Sequence, residues 1–433
     1  MLLSTVPLAT EPWIPILEEA DRSRAILALD ELVEALVSLP ADAGEPCDLA
    51  RGLAGRSLAL AYLAQSARYQ HARAAAMACM DGAITGLAQG FHSPSLFSGI
   101  AGVAWAAQHI LTAFPGIAEA GGGEEAIDAF LLDCLGQDPW RGDYDLVSGL
   151  VGIGLYAWDG LPRRSAAELL SRTIHHLEHL ARPMAHGVAW HTGPALLPEW
   201  QRQRDPQGYF NLGVAHGNPA VINLLARAAA SGIQPRTCQH LAHEGSRWLA
   251  STRFPTEAPS CFGSLVGGDG NPDEARGGRI AWCYGDLGIA ITQVGAARWL
   301  GDENMETAAM EVAHAVALKA LDGCRSNDAG FCHGAAGNGH LFNRLYQATG
   351  DPRFLSAARA WLRTALDQRR PGEGIGGYQA WLRPDHPQGP WMDEPGLLEG
   401  SAGIALALLS ACEPITSGWD RMMLTDLPPR WVH

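Results

Sequence analysis

Two cysteines and a histidine carry the first chemical signal. In Trp282-Cys283-Tyr284-Gly285 and Phe331-Cys332-His333-Gly334 a thiol stands two residues before a glycine, so the sulfurs share one register and His333 adds an imidazole. Two thiols and one imidazole suit zinc. A structural zinc closes a four-ligand shell, whereas three protein ligands leave a position for a reacting group. In mid-helix the adjacent side chains of Cys332 and His333 would diverge, but a glycine-bordered helix start can turn both inward. His216 leads a third such start, where a histidine either caps and packs or moves a proton near neutral pH. Cys324, His340 and Cys261 offer a fourth ligand, but that would shut the site, and packing or solvent exposure is the simpler role for each.

These residues sit on a repeated phrase: a glycine, two residues, a second small residue, then an apolar helix-forming run. It reads Gly99-Ile-Ala-Gly102, Gly149-Leu-Val-Gly152, Gly217-Asn-Pro-Ala220, Gly285-Asp-Leu-Gly288, Gly334-Ala-Ala-Gly337 and Gly400-Ser-Ala-Gly403, with starts 50, 68, 68, 49 and 66 residues apart. A seventh, fainter copy is Gly52-Leu-Ala-Gly55, 47 residues before Gly99. Glycines three apart at a helix start lie on one side and let another backbone approach. Between copies run amphipathic segments such as Ser165 to Ala181, Glu303 to Leu321 and Asp351 to Gln368, the last opened by an Asp-Pro start. Small-residue inner helices alternating with amphipathic outer ones predict an all-α, α/α toroid in which neighbours bury one another and ring closure removes exposed ends. Residues 182–212 and 251–282 break the helical period with Gly, Pro and short β-prone runs, and predict a small strand-containing extension. No linker divides the chain, so residues 1–433 are expected to form one domain.

Composition narrows the function. The chain is 47% hydrophobic and 18% charged, enough apolar material for a large core. A formal net charge of −15, without a basic run, argues against nucleic-acid binding. Nine scattered cysteines do not form a disulfide scaffold and fit a reducing cytoplasm. The stretch from Met1 to Ala20, broken by Glu11, Pro12 and Pro15, does not read as a signal peptide, so the mature chain is expected to begin at Met1. The most membrane-like stretch, Leu96 to Phe114, contains Gln108 and His109 and reads as a buried helix.

Four motifs resemble those of the lanthionine synthetase C-like family, which includes the cyclases of class I lanthipeptide biosynthesis. Arg279-Ile-Ala-Trp-Cys-Tyr-Gly-Asp-Leu-Gly288 and Cys332-His-Gly-Ala-Ala-Gly337 look like that family's two zinc-ligand motifs. Asn211-Leu-Gly-Val-Ala-His-Gly217 looks like its histidine motif, and Tyr144-Asp-Leu-Val-Ser-Gly149 its aspartate motif. The resemblance spans roughly residues 90 to 410 and departs only at Ala220, where the family has a second glycine. It implies an α/α toroid in which Cys283, Cys332 and His333 bind zinc, His216 handles a proton beside Asp145, and Arg279 and Tyr284 flank the reacting centre.

The implied activity is addition of peptide cysteine thiols to dehydroalanine or dehydrobutyrine, closing (methyl)lanthionine rings. The expected partners are a dehydrated precursor peptide, a dehydratase and an export transporter, the chain being cytoplasmic and at most peripheral to a membrane-associated complex. Three other readings stay open. The same site could add glutathione to dehydrated residues, or the chain could be a zinc-containing binder of peptide or glutathione without catalysis. Helical toroids also house glycosidases, which need two carboxylates across a cleft, and Asp145 with Asp286 could pose as that pair.

Overall fold

The computed structural model describes residues 13–42, 44–90, 93–114, 123–270, 278–321, 326–386 and 389–430. Its helices alternate between an outer and an inner layer. In chain order they are α1 (Glu19–Ser38), α2 (Leu53–Leu63), α3 (Ala72–Ala88), α4 (Ile100–Ala113), α5 (Glu124–Cys134), α6 (Leu150–Asp159) and α7 (Arg164–Leu180). A short α8 (Glu199–Arg204) follows, then α9 (Asn218–Ala230), α10 (Pro235–Ser251), α11 (Asp286–Leu300), α12 (Glu303–Leu321), α13 (Ala335–Thr349), α14 (Pro352–Asp367) and α15 (Ser401–Cys412). The seven glycine phrases, Gly52 included, each open an inner helix: α2, α4, α6, α9, α11, α13 and α15. Each inner helix packs on its neighbour, and α15 returns to α2, so the ring closes.

Burial separates the layers. Every residue of α15 and all but one of α11 are buried, as an inner helix surrounded by protein requires. On α7 only Ala166, Leu169, Leu170, Thr173, Ile174, His176 and Leu177 are buried, one stripe at helical spacing. Asp351 caps α14 by accepting from the Arg353 amide at 2.9 Å, and Pro352 fills the first turn.

A closed circle of backbone hydrogen bonds fixes the register of the seven starts. The residue two before each glycine donates its N–H to the carbonyl of its counterpart in the next repeat: Ala50 to Phe97 (2.9 Å), Phe97 to Val147 (3.2 Å), Val147 to Ala215 (3.3 Å) and Ala215 to Cys283 (3.3 Å). The circle continues from Cys283 to Cys332 (3.3 Å), Cys332 to Leu398 (2.6 Å) and Leu398 back to Ala50 (3.0 Å).

The glycines serve the loop that wraps each helix start. A Cβ on Gly285, whose φ is +124°, would lie 1.6 Å from the Arg279 carbonyl oxygen, and one on Gly337 would lie 1.8 Å from that of Phe331. The backbone approaching each inner helix is thus the chain's own preceding loop. Those loops also supply partners for helix-start amides: Leu150 donates to the Asp143 carbonyl and Ala335 to that of Asp328, so no side-chain cap is needed. Ala220 fits fully buried at the one start that lacks the second glycine.

The strands form three small antiparallel pairs. β1 (Ala181–Met184) pairs with β2 (Gly187–Trp190), and β3 (Tyr209–Asn211) with β4 (Leu265–Gly267). The third pair, β5 (Ala380–Trp381) with β6 (Trp391–Met392), lies between α14 and α15, where no excursion is expected from the sequence. All three lie in outer-to-inner connections and so flank the glycine end of the barrel. Of the 251–282 stretch, residues 271–277 lie outside the described residues. Among the described residues no helix is long and apolar enough to cross a membrane, and the Leu96 to Phe114 stretch contains the buried inner helix α4.

Candidate metal and acid–base centre

The backbone circle makes Cys283 and Cys332 neighbours because they hold the same position in adjacent repeats. Cys283 and Cys332 are buried and His333 is partly exposed; one ligand atom from each lies within 4.8 Å of the others. The Arg279 guanidinium donates to Cys283 Sγ at 3.3 Å. A hydrogen bond from Cys332, aided by His333 and by the charge of Arg279, holds the Cys283 thiol well below its ordinary value against the pull of burial. His333 Nδ1 is buried without a hydrogen-bond partner. Two clustered sulfurs, one thiol predisposed to ionise, and an orphaned imidazole nitrogen fit a zinc ion with three protein ligands.

Beside it lies an acid–base pair. Asp145 Oδ2 meets His216 Nδ1 at 2.6 Å, while Asp145 Oδ1 accepts from the Ser148 amide at 2.6 Å. Asp145 thus fixes its own loop with one oxygen and holds the imidazole with the other. Burial alone would lower the His216 pKa, but the hydrogen bond and charge of Asp145 outweigh it and hold the imidazole above its ordinary value. The Tyr284 ring lies 6.3 Å from that of His216, and its hydroxyl accepts from Asn211 Nδ2 at 2.9 Å. Burial pushes the Tyr284 phenol up to about 12, so it keeps its proton at neutral pH.

The other candidates have structural occupations. His340 is fully buried, bonded to Asp420 at 2.7 Å in the barrel interior. Cys261 donates its backbone N–H to Asp286, whose carboxylate also accepts from the Phe262 amide, at 2.8 and 3.0 Å. Asp286 spends both carboxylate oxygens on backbone amides, an occupation that does not suit it as the partner carboxylate of Asp145 in the glycosidase reading. Cys324 lies outside the described residues.

Register also reveals residues to which the sequence reading gave no role. His216, Tyr284 and His333 each directly precede a repeat glycine, as do Arg51, Ser98, Ser148 and Glu399, and all seven are at least partly exposed. They ring one mouth. Arg51 is paired with Glu394, and burial raises the Glu399 carboxyl. The signal for these was available as the shared offset from the glycine, applied in the sequence only to the cysteines and His216. Asn211 gave no separate signal because its contact with Tyr284 joins β3 to a loop 73 positions away.

An α/α toroid carrying a two-thiol, one-imidazole centre next to a carboxylate–imidazole pair defines the class. The chain belongs to the lanthionine synthetase C-like family, whose model matches residues 44–424. It is 24% identical over 219 residues to the glutathione S-transferase LANCL1 of Danio rerio, an alignment covering 51% of this chain; the chain spans about half, 46%, of that relative. Among solved structures it is similar to nisin cyclase, with a TM-score of 0.69 at 18% identity over 94% of this chain and 98% of that one. That likeness shows the toroid fold. A weaker likeness, TM-score 0.46 at 15% identity over 92% of this chain and 96% of the other, is to cellobiose 2-epimerase from Spirochaeta thermophila.

Proposed function

We propose that the chain is a zinc-dependent cyclase that adds peptide cysteine thiols to dehydroalanine or dehydrobutyrine, forming (methyl)lanthionine rings. The observation that carries this reading is the convergence of Cys283, Cys332 and His333 beside the Asp145–His216 pair. A zinc ion held by those three residues would favour the thiolate of a substrate cysteine in its remaining position.

The chain's own residues would do the rest. As the thiolate sulfur bonds to the alkene β-carbon, the π electrons move to the neighbouring carbonyl as an enolate, which then takes a proton at Cα. His216, whose charged form Asp145 favours, is suited to deliver that proton. Arg279, beside Cys283 Sγ, supplies a fixed positive charge where negative charge builds up. Tyr284, protonated and held by Asn211, stands near His216 and can offer its O–H to the enolate oxygen. The proton lost by the thiol is balanced by the one gained at carbon, so product and substrate have equal mass.

The test is incubation with a dehydrated precursor peptide, then thiol alkylation and mass spectrometry. Loss of alkylatable thiols without a mass change supports cyclisation, and persistence of free thiols contradicts it. The natural partners under this reading are the precursor, a dehydratase and an export transporter, with the chain in the cytoplasm. The relative's name favours a second reading, in which glutathione is the thiol and a dehydrated residue on a protein the acceptor. In the same assay that activity would raise the acceptor mass by one glutathione.

A further inference from the structure

The barrel is stoppered at the end away from the glycine circle. Residues 417–428, after the last inner helix, enter among the C-terminal halves of the inner helices and bond to groups from five of them. Asp159 of α6 pairs with Arg421, and Arg227 of α9 with Asp426. Arg298 of α11 donates to the Pro428 carbonyl at 3.0 Å. Arg344 and His340 of α13 hold Asp420 at 2.6 and 2.7 Å, and Ser410 of α15 meets Ser417 at 2.6 Å. Arg227, Asp420 and Asp426 are completely buried, so the segment is locked by paired charge as well as by apolar packing.

From inside the barrel the same segment touches the metal centre's supports. Trp282 Nε1 donates to the Met423 carbonyl at 2.9 Å, and the Phe331 ring meets that of Trp419 edge-on, 5.2 Å between centroids at 76°. Trp282 and Phe331 immediately precede the two cysteines, and both are fully buried. In the other five repeats the same position holds Leu49, Leu96, Leu146, Val214 and Leu397. Aromatic side chains, long enough to reach the stopper, thus stand only where the next residue is a thiol.

We infer that the C-terminal stopper is a positioning element for the metal: it braces Trp282 and Phe331 from below while the backbone circle holds Cys283 and Cys332 from the side. This rests on the zinc reading of the site. Tightness of metal binding then depends on residues that do not touch the metal.

Zinc release to a chromogenic chelator, the absorption spectrum of the cobalt-substituted protein, and melting with and without metal test it. Trp282→Phe keeps a ring and removes the N–H donor; Trp419→Leu removes the edge contact. Leu170→Ala, on outer helix α7, is the destabilised control. Trp282→Phe should release zinc about fivefold faster, the worth of one neutral hydrogen bond, and Trp419→Leu about fivefold faster, the worth of one aromatic pair. They should also shift the cobalt–thiolate bands and lose more melting temperature with metal than without. The control should melt lower by the same amount in both states and release zinc at the wild-type rate. Wild-type release and equal melting losses in Trp282→Phe, which decides the matter if Trp419→Leu does not fold, would overturn the inference. If the wild-type chain binds no zinc, the metal reading fails and the inference with it.

Discussion

Replacing Asp145 by Asn tests the acid–base pair with little change of shape. The amide can still accept from the Ser148 N–H and contact His216, but it no longer carries the charge that favours the protonated imidazole. Hydrogen bonds to charged groups contribute about 1.5–3 kcal/mol, roughly 10- to 150-fold. The His216 side chain is 41% exposed, so solvent screening puts the effect near the lower end, about tenfold. The sign follows from the raised pKa of His216: its acid form prevails below that value and is lost as pH rises through it. Without the Asp145 charge, burial is opposed only by the weaker influence of Cys283 and Asp143, and the pKa should fall. If His216 is the proton donor, the alkaline limb of the kcat/KM profile for cyclisation should move to lower pH in Asp145→Asn. At pH 7 the rate should drop about tenfold with metal content unchanged. A variant profile that superimposes on the wild type would refute the role given to both residues.

Other outcomes follow from the same geometry. His216→Ala should retain zinc and slow cyclisation by roughly 10²- to 10⁴-fold, the usual contribution of a positioned acid, as read by single-turnover alkylation assays. Asn211→Ala frees the Tyr284 hydroxyl and also strips the buried Gly213 N–H of its acceptor, so it should lower kcat and lower the melting temperature equally with and without metal, at unchanged zinc content. Gly285→Ala forces a Cβ against the Arg279 carbonyl in a backbone conformation that L residues avoid; it should cost about 1–3 kcal/mol or more in denaturant melts and reduce zinc occupancy. Burial works against ionisation of Asp420, yet Arg344 and His340 hold its pKa at about 2. Its stabilising contribution is therefore present above the ordinary carboxylate value and lost as pH falls toward 2, and acid unfolding should show this loss.

The ring of helices was legible because both layers write distinct patterns: the amphipathic stripe of α7 and α14, and the Gly-x-x-Gly starts of the inner helices. Even the faint copy at Gly52 proves to open α2, the helix on which α15 closes the circle. The clustering of Cys283, Cys332 and His333 was legible for the same reason, since two thiols in one repeat register must become neighbours if the repeats do. What the glycines do was only half visible. They admit a backbone, but it is the preceding loop of the same repeat, a contact that periodicity does not encode. The β5–β6 pair escaped notice because two-residue strands leave no alternation to read. Arg51, Ser98, Ser148 and Glu399 went unmarked because ordinary charged or hydroxyl residues announce nothing by type, only by register. The Asn211–Tyr284 bond and the stopper's grip on Trp282 are long-range contacts that single positions cannot show.

The central claim is an open, three-ligand zinc centre, and X-ray absorption at the zinc edge tests it most directly. Protein prepared without chelators should hold about one zinc per chain, with two sulfurs near 2.3 Å and one nitrogen near 2.0–2.1 Å. A light scatterer should complete the shell and give way to a third sulfur when a cysteine-containing substrate peptide is added. Absence of zinc, or a shell already closed by four protein ligands and unchanged by the thiol, would contradict the account.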